Sequence, residues 1–189
     1  MLYAAVANGH TDVVRRLIAV PGMEVDIPNN FGTTPLLVAA GNGRLDMVEV
    51  LLSASGVDVN TARTADGNTP LITAACEGHL DAVGRLLAAP GVNVNVANNT
   101  GATALCRAIN TGRRDVVDRL ISAPGIDVNQ AMIGSGITPL FLAAYHGYLH
   151  VVERLLVAPG ARAYNRPRFS TTERLHFDRW CAYRLCRGC

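Results

Sequence analysis

Five glycines, Gly9, Gly43, Gly78, Gly112 and Gly147, stand 34, 35, 34 and 35 residues apart. Around them the same text returns: ANGHTDVVRRLI, AGNGRLDMVEVLL, ACEGHLDAVGRLL, INTGRRDVVDRLI and AYHGYLHVVERLL. A second block leads into the later glycines, as GTTPLLVAA from Gly32, GNTPLITAA from Gly67, GATALCRAI from Gly101 and GITPLFLAA from Gly136. A third block follows, as PGMEVD, SGVDVN, PGVNVN and PGIDVN. A chain phased in this way repeats one supersecondary unit. A single unit of this size cannot bury its own apolar face, so neighbouring units must stack.

Each unit reads as helix, turn, helix and hairpin. Thr34-Pro35, Thr69-Pro70 and Thr138-Pro139 mark helix starts, because threonine satisfies orphan backbone N–H groups and proline fits the first turn. Leu36, Ala39 and Ala40 then fall at i, i+3 and i+4, an apolar face small enough for another helix to approach closely. The periodic glycine ends that helix in a left-handed turn. Asp12, Asp46, Asp81 and Asp115 stand at the start of a second helix, where a carboxylate complements the helix dipole. Val14, Leu17 and Ile18, or Val48, Leu51 and Leu52, supply its buried stripe. Pro-Gly closes it in four of the five copies, and Val-Asp-Val-Asn opens an extended excursion.

These units resemble ankyrin repeats. The residues carrying the resemblance are the Thr-Pro-Leu starts, the double alanines, the glycine turn, the DVVxxLL helix and the Asp-Val-Asn that follows it. It spans residues 1–161, as units of about 1–31, 32–66, 67–100, 101–135 and 136–161. The tetratricopeptide repeat has a similar period but does not place Pro-Gly and a Val-Asn-Val strand after every second helix. The resemblance implies an all-α solenoid with short β-hairpins. The family usually has histidine after Thr-Pro-Leu, tying neighbouring units by hydrogen bonds. Here Leu37, Ile72, Cys106 and Phe141 stand there, so packing is expected to replace that tie. Ala104 replaces the fourth unit's proline, and Gly84 interrupts a helix at a cost of about 1 kcal/mol relative to alanine. TARTADG and QAMIGSG carry one residue more than VANNTG, an insertion that hairpin tips tolerate.

Composition sets outer limits. Aromatics are 5% of the 189 residues, so the core must be aliphatic and alanine-rich. The net charge of +2 is too small for a nucleic-acid footprint over the whole chain. Gly, Pro, Asn or a charge interrupts every apolar run before it reaches membrane-spanning length. MLYAAVANGH lacks the parts of a secretory signal. Five cysteines, an odd number with three in the last nine residues, do not read as a disulfide framework. A reducing compartment is expected, the cytoplasm first and the nucleus as the alternative.

Fragments that mimic catalytic or metal motifs dissolve on inspection. His10-Thr-Asp12 and His79-Leu-Asp81 look like pieces of a dyad, but they recur in phase with the repeat, and Arg44 and Arg113 fill the same place elsewhere. His146 and His150 are four apart, yet Gly147 divides them at the turn. No phosphate-cradling, zinc-protease or nucleophile-elbow motif is present. Asn98-Asn99-Thr100 is a formal glycosylation sequon, and Asn60 resembles ankyrin asparagines that cellular hydroxylases modify, although a hairpin-stabilising role explains it more simply. The array reads as non-catalytic, with no cofactor and no metal.

From Arg162 the material changes. Residues 162–189 hold seven of the 17 basic residues against Glu173 and Asp178, so this tail is +5 and the preceding array −3. Four readings stay open. Ser170-Thr-Thr-Glu173 is a capping box, and Phe177, Trp180, Cys181 and Leu185 then make a stripe suited to cover the last repeat over Val151, Val152 and Leu155. The other three are an out-of-frame end, a basic binding segment for nucleic acid or acidic lipid, and a zinc site through His176, Cys181, Cys186 and Cys189.

The resemblance implies protein–protein recognition as a scaffold or adaptor, by a monomer with no small-molecule substrate, nucleic acid or membrane as partner. The alternatives are the targeting part of a larger multidomain enzyme, such as a ubiquitin-ligase adaptor or a kinase, and an inert array carrying a zinc- or nucleic-acid-binding tail. Partner-binding positions are expected on the hairpin tips and the ends of the first helices. At the tips these are Asn30, Phe31 and Thr33; Asp66 and Asn68; Asn99 and Thr100; and Ser135 and Ile137. At the helix ends they are Asn42, Glu77, Asn110, Tyr145 and His146. Phe31 and Tyr145 are the aromatics among them, the type that carries a disproportionate share of binding energy.

Overall fold

The structure, a computed structural model, describes residues 1–162; the readings for the C-terminal segment from residue 163 onward fall outside the described residues. Among the described residues, ten helices make five pairs: α1 (Leu2–Ala7) with α2 (Thr11–Ile18), α3 (Pro35–Gly41) with α4 (Leu45–Leu52), α5 (Pro70–Glu77) with α6 (Leu80–Leu87), α7 (Ala104–Asn110) with α8 (Arg114–Ile121), and α9 (Pro139–Tyr145) with α10 (Leu149–Leu156). The odd-numbered helices pack side by side as one layer and the even-numbered helices as a second. One apolar core runs continuously between the layers, from Leu2 to Ala158.

The first helices start where threonine stands. Thr34, Thr69, Thr103 and Thr138 are buried, and their hydroxyls accept the N–H groups of Leu37, Ile72, Cys106 and Phe141 at 3.2–3.3 Å. Ala104 in place of proline leaves this arrangement intact, because the hydroxyl of Thr103 supplies the cap. Ala39, Ala40, Ala74, Ala75 and Ala108 are sealed from solvent, so small side chains bring adjacent helices close. Leu36, Leu37, Ile72 and Leu105 fill the space beside them, each burial contributing about 1.5–3 kcal/mol.

The units are tied at a place other than the one the family pattern suggests. Leu37, Ile72 and Cys106 are buried and pack, as expected. The polar ties come from the residue that begins each second helix. Arg44 Nη1 donates to the carbonyl of Val6 at 2.9 Å, His79 Nε2 to that of Gly41 at 2.9 Å, and Arg113 Nε to that of Cys76 at 3.3 Å. These acceptors are terminal carbonyls of the preceding first helix, groups that have no partner within their own helix. None of these residues caps its own helix with its side chain. Gly43, at φ +66°, shows why glycine precedes them: a Cβ there would lie 2.5 Å from His79 Nδ1.

Beyond the second helices, asparagine side chains join successive units. Asn60, Asn95 and Asn129 each donate through Nδ2 to the carbonyl of Gly91, Gly125 or Gly160 at 2.8 Å. In the return direction, Oδ1 of Asn60 accepts the N–H of Asn93, that of Asn95 the N–H of Asp127, and that of Asn129 the N–H of Arg162, also at 2.8 Å. The side chain of Asn60 is therefore fully engaged in the scaffold. The excursions that follow are each closed by two backbone bonds: the N–H groups of Asn29, Arg63, Asn98 and Met132 donate to the carbonyls of Thr33, Asn68, Ala102 and Ile137, and those of Gly32, Gly67, Gly101 and Gly136 donate back to Asn29, Arg63, Asn98 and Met132. The described residues contain no β-strand, since the two bonds at each tip close a turn and do not extend into a ladder. The hairpins are thus hydrogen-bonded turns.

Candidate partner-binding face

The first two excursion tips and the helices α1, α3 and α5 border a groove of about 690 Å³. Tyr3 stands at one end of it, and Phe31, Val38, Asn42, Thr73 and Glu77 line its length. Four of the sequence-derived positions meet here: Phe31, Thr33, Asn42 and Glu77. Phe31 is 73% exposed, a large ring held in water by its own loop. That loop is fixed from beneath: Asn29 Oδ1 accepts the N–H groups of Phe31 at 2.9 Å and Thr33 at 3.0 Å. Asn30 is exposed beside it. Asn42 and Glu77 are exposed at the ends of α3 and α5.

Other candidate positions are committed to holding the loops. Asp66 accepts from Arg63 Nε at 2.9 Å and from the backbone N–H of Asn68 at 3.1 Å, and it forms an ion pair with Arg63. The Arg63 hydrogen bond is the main reason the Asp66 carboxyl sits below the usual carboxylate range. Asn68 Oδ1 accepts from Asn98 Nδ2 at 2.9 Å, linking two loops. The Thr100 hydroxyl donates to Asn98 Oδ1 at 2.7 Å, and the Ser135 hydroxyl accepts the N–H of half-buried Ile137 at 3.4 Å. Asn99 is exposed, and its own N–H is bonded to the Asp66 carbonyl. In the longer tip the Asp66–Arg63 pair does what Asn98 alone does in the shorter one.

At the far end of the array Tyr145 and His146 belong to a ring cluster. Phe141 stacks on Tyr145 at 6.2 Å, Tyr145 meets His146 edge-on at 5.2 Å, and His146 stacks on Tyr148 at 5.3 Å. His146 also lies 3.2 Å from Asn110 Oδ1. Tyr145 is half-buried, so its ring serves packing as well as surface, unlike that of Phe31.

Sequence reasoning misses Tyr3, Val38, Thr73 and Arg63 as groove residues. One signal points to the first three: the residue just before the double alanine or its equivalent reads Tyr3, Val38, Thr73, Arg107 and Leu142, varying while its neighbours repeat. Arg107 extends this line. Its Nη2 donates to Cys76 Sγ at 3.1 Å, and its Nε is buried without a partner among the described residues. Burial pushes the Cys106 thiol above its ordinary range, which marks it as a core side chain. No group of three or more metal-ligating side chains occurs among the described residues.

Helix pairs in two layers, buried threonine caps, glycine turns and hydrogen-bonded tips define the unit, and a family model described as ankyrin repeats (3 copies) matches residues 1–63, 55–132 and 85–167. The chain belongs to the ankyrin-repeat family. No curated protein matches it. Ankyrin repeats are in general protein–protein interaction modules, typically non-catalytic. No helix among the described residues is long and apolar enough to cross a membrane.

Proposed function

We propose that this ankyrin array is a non-catalytic scaffold or adaptor that holds a protein partner in the groove between Tyr3 and Glu77. The observation that carries this reading is Phe31. Its loop spends two side-chain hydrogen bonds on holding an aromatic ring that stays 73% exposed above a groove of about 690 Å³. An exposed aromatic over a pre-formed groove is the arrangement in which one side chain contributes most to binding. Glu77, exposed and without a side-chain partner among the described residues, gives the same groove a negative end, so a partner segment with an apolar anchor and a basic neighbour suits it. Asn42 and Thr33 supply polar edges between the two. The reading includes a monomeric array in the cytoplasm or nucleus.

Phe31→Ala and Glu77→Ala test the assignment on a partner captured by the intact chain. Phe31→Ala should weaken the partner by about 1–2 kcal/mol with little change in melting temperature, because the ring packs against nothing that folding needs. Arg15→Ala and Glu49→Ala on the outer helices should leave affinity unchanged. An affinity that followed Arg15 and Glu49, and ignored Phe31, would move the binding face to the other side of the array.

A further inference from the structure

The row of side chains that floors the groove continues onto the next helix. Tyr3, Val38 and Thr73 line the groove from α1, α3 and α5. Helix α7 packs against α5, and its residue at the same place is Arg107. Among these positions only Arg107 carries a charge, since Leu142 stands there on α9.

The guanidinium of Arg107 is poorly provided for. Its Nη2 donates to Cys76 Sγ at 3.1 Å, and its Nε is buried with no partner among the described residues. A thiol sulfur is a weak acceptor. The other arginines that make side-chain bonds all reach oxygen: Arg44 and Arg113 a carbonyl of the preceding unit, Arg63 the Asp66 carboxylate, and Arg154 Asp118 and Ser122. Arg107 is half-buried, yet none of the ion pairs among the described residues includes it. A buried donor left unpaired is disfavoured and marks a place that lacks its acceptor.

Position says which acceptor fits. Glu77 directly follows Cys76, so the sulfur contact holds the guanidinium close to the acidic end of the groove. The two charges nevertheless form no ion pair with each other among the described residues. One rim of the groove thus presents a free carboxylate and, beside it, a cation bonded only to sulfur.

We propose that Arg107 binds a carboxylate of the partner segment, an Asp or Glu side chain that accompanies the basic residue suited to Glu77. This deepens the groove reading and rests on it: the segment that sets an apolar side chain against Phe31 carries a basic and an acidic residue beyond that anchor. The planar guanidinium offers parallel N–H groups to a carboxylate, which fixes orientation as well as charge. Leaving Cys76 costs the side chain only a weak bond, and brings Nε and Nη2 together onto the two carboxylate oxygens.

A library of random peptides displayed on phage, selected on the intact chain, tests this. The wild-type pool should be several-fold richer in Asp and Glu than the starting library, at a fixed distance from an apolar residue. Arg107→Gln, with helix content unchanged, should lose the acidic preference and keep the apolar one. Phe31→Ala should do the reverse, so a pool with the acid but no apolar anchor counts against the Phe31 groove and leaves the role of Arg107 standing. A measurement on the peptide side needs no variant of the array to fold. In a resynthesised peptide from the pool, changing the acidic residue to its amide should weaken binding to the wild type about tenfold, the scale of one hydrogen bond to a charged group. Arg107→Lys, which keeps the charge but not the fork, should retain the acidic preference at reduced affinity. A wild-type pool no more acidic than the library would overturn the proposal. So would an acidic preference that survives Arg107→Gln, or a peptide whose amide binds as well as its acid.

Discussion

The Asp26 carboxylate accepts the backbone N–H of Asp58 at 2.5 Å, at the place where Asn60, Asn95 and Asn129 make their two-way links. A carboxylate can take the acceptor half of that link but, when ionised, cannot donate to the Gly56 carbonyl. Burial, and then the charge of Asp58, push the Asp26 carboxyl above its ordinary value, against the hydrogen bond that lowers it.

Asp26→Asn should therefore stabilise the chain. The amide keeps the bond to Asp58, adds a donor toward Gly56 and removes the repulsion, a gain of about 0.5–1.5 kcal/mol for one hydrogen bond. The gain also depends on pH. Because the folded carboxyl titrates above the unfolded value of 3.8, its ionised form is disfavoured by folding at neutral pH, and the penalty fades as pH falls through the raised value toward 3.8. Urea denaturation of both proteins should show the full difference at neutral pH and a smaller one once pH falls below the unfolded value. Carboxyls held low, such as Asp46 beside the Thr11 hydroxyl, affect both proteins alike and cancel from the comparison.

Gly84→Ala should also stabilise, for a different reason. Gly84 lies inside α6, and a Cβ there would meet only Arg119 side-chain atoms, at 3.7 and 3.8 Å, ordinary van der Waals distances. The helix then gains the alanine preference of about 1 kcal/mol with no steric cost. A thermal melt that fell instead would show that the α6–α8 joint has no room for the added methyl.

Two glycines with the same backbone twist should respond unequally. Gly91 has φ +75° and nothing within 4 Å of an added Cβ, so Gly91→Ala costs only the left-handed strain, about 1–2 kcal/mol. Gly101 has φ +77°, but its Cβ would collide with the backbone nitrogen of Ile133 and lie 2.7 Å from Ile133 Cγ1. Gly101→Ala must also push two loops apart, so its denaturation midpoint should fall well below that of Gly91→Ala. Equal midpoints would mean that the tips move freely relative to each other.

Hydrogen exchange should run inward from the first unit. α2 (Thr11–Ile18) buries only Val14, whereas α6 (Leu80–Leu87) buries Ala82, Val83 and Leu86 and has neighbours on both sides. Amides of residues 2–18 should exchange before those of 71–87, since local opening follows the density of buried apolar neighbours. Uniform protection along the array would contradict this order.

The helices were legible because their determinants are local and repeated: Thr-Pro starts, paired alanines and glycine turns recur at fixed spacing. The ties between units were not. His79, Arg44 and Arg113 share a position and a target but little side-chain chemistry, so no residue pattern announces that each reaches a carbonyl of the preceding unit. The groove was read in part, since Phe31, Asn42 and Glu77 stand out as variable positions on a repeating background. Asp66 and Asn68 stood out equally, yet their polar atoms hold the turn. A polar side chain at a loop tip looks the same in sequence whether it faces its own backbone or a visitor.

The ties made by Arg44, His79 and Arg113 all point backward along the chain, each donor coming 37 or 38 residues after its acceptor. During translation a first helix therefore leaves the ribosome before the side-chain donor to its Val6, Gly41 or Cys76 carbonyl exists. It is locked when the turn of the next unit emerges. Synthesis and assembly thus share one direction, and each unit is fastened by its successor. A chain stalled anywhere in the array carries a single unfastened helix pair at its growing edge, and that pair is where a chaperone or a protease would find purchase.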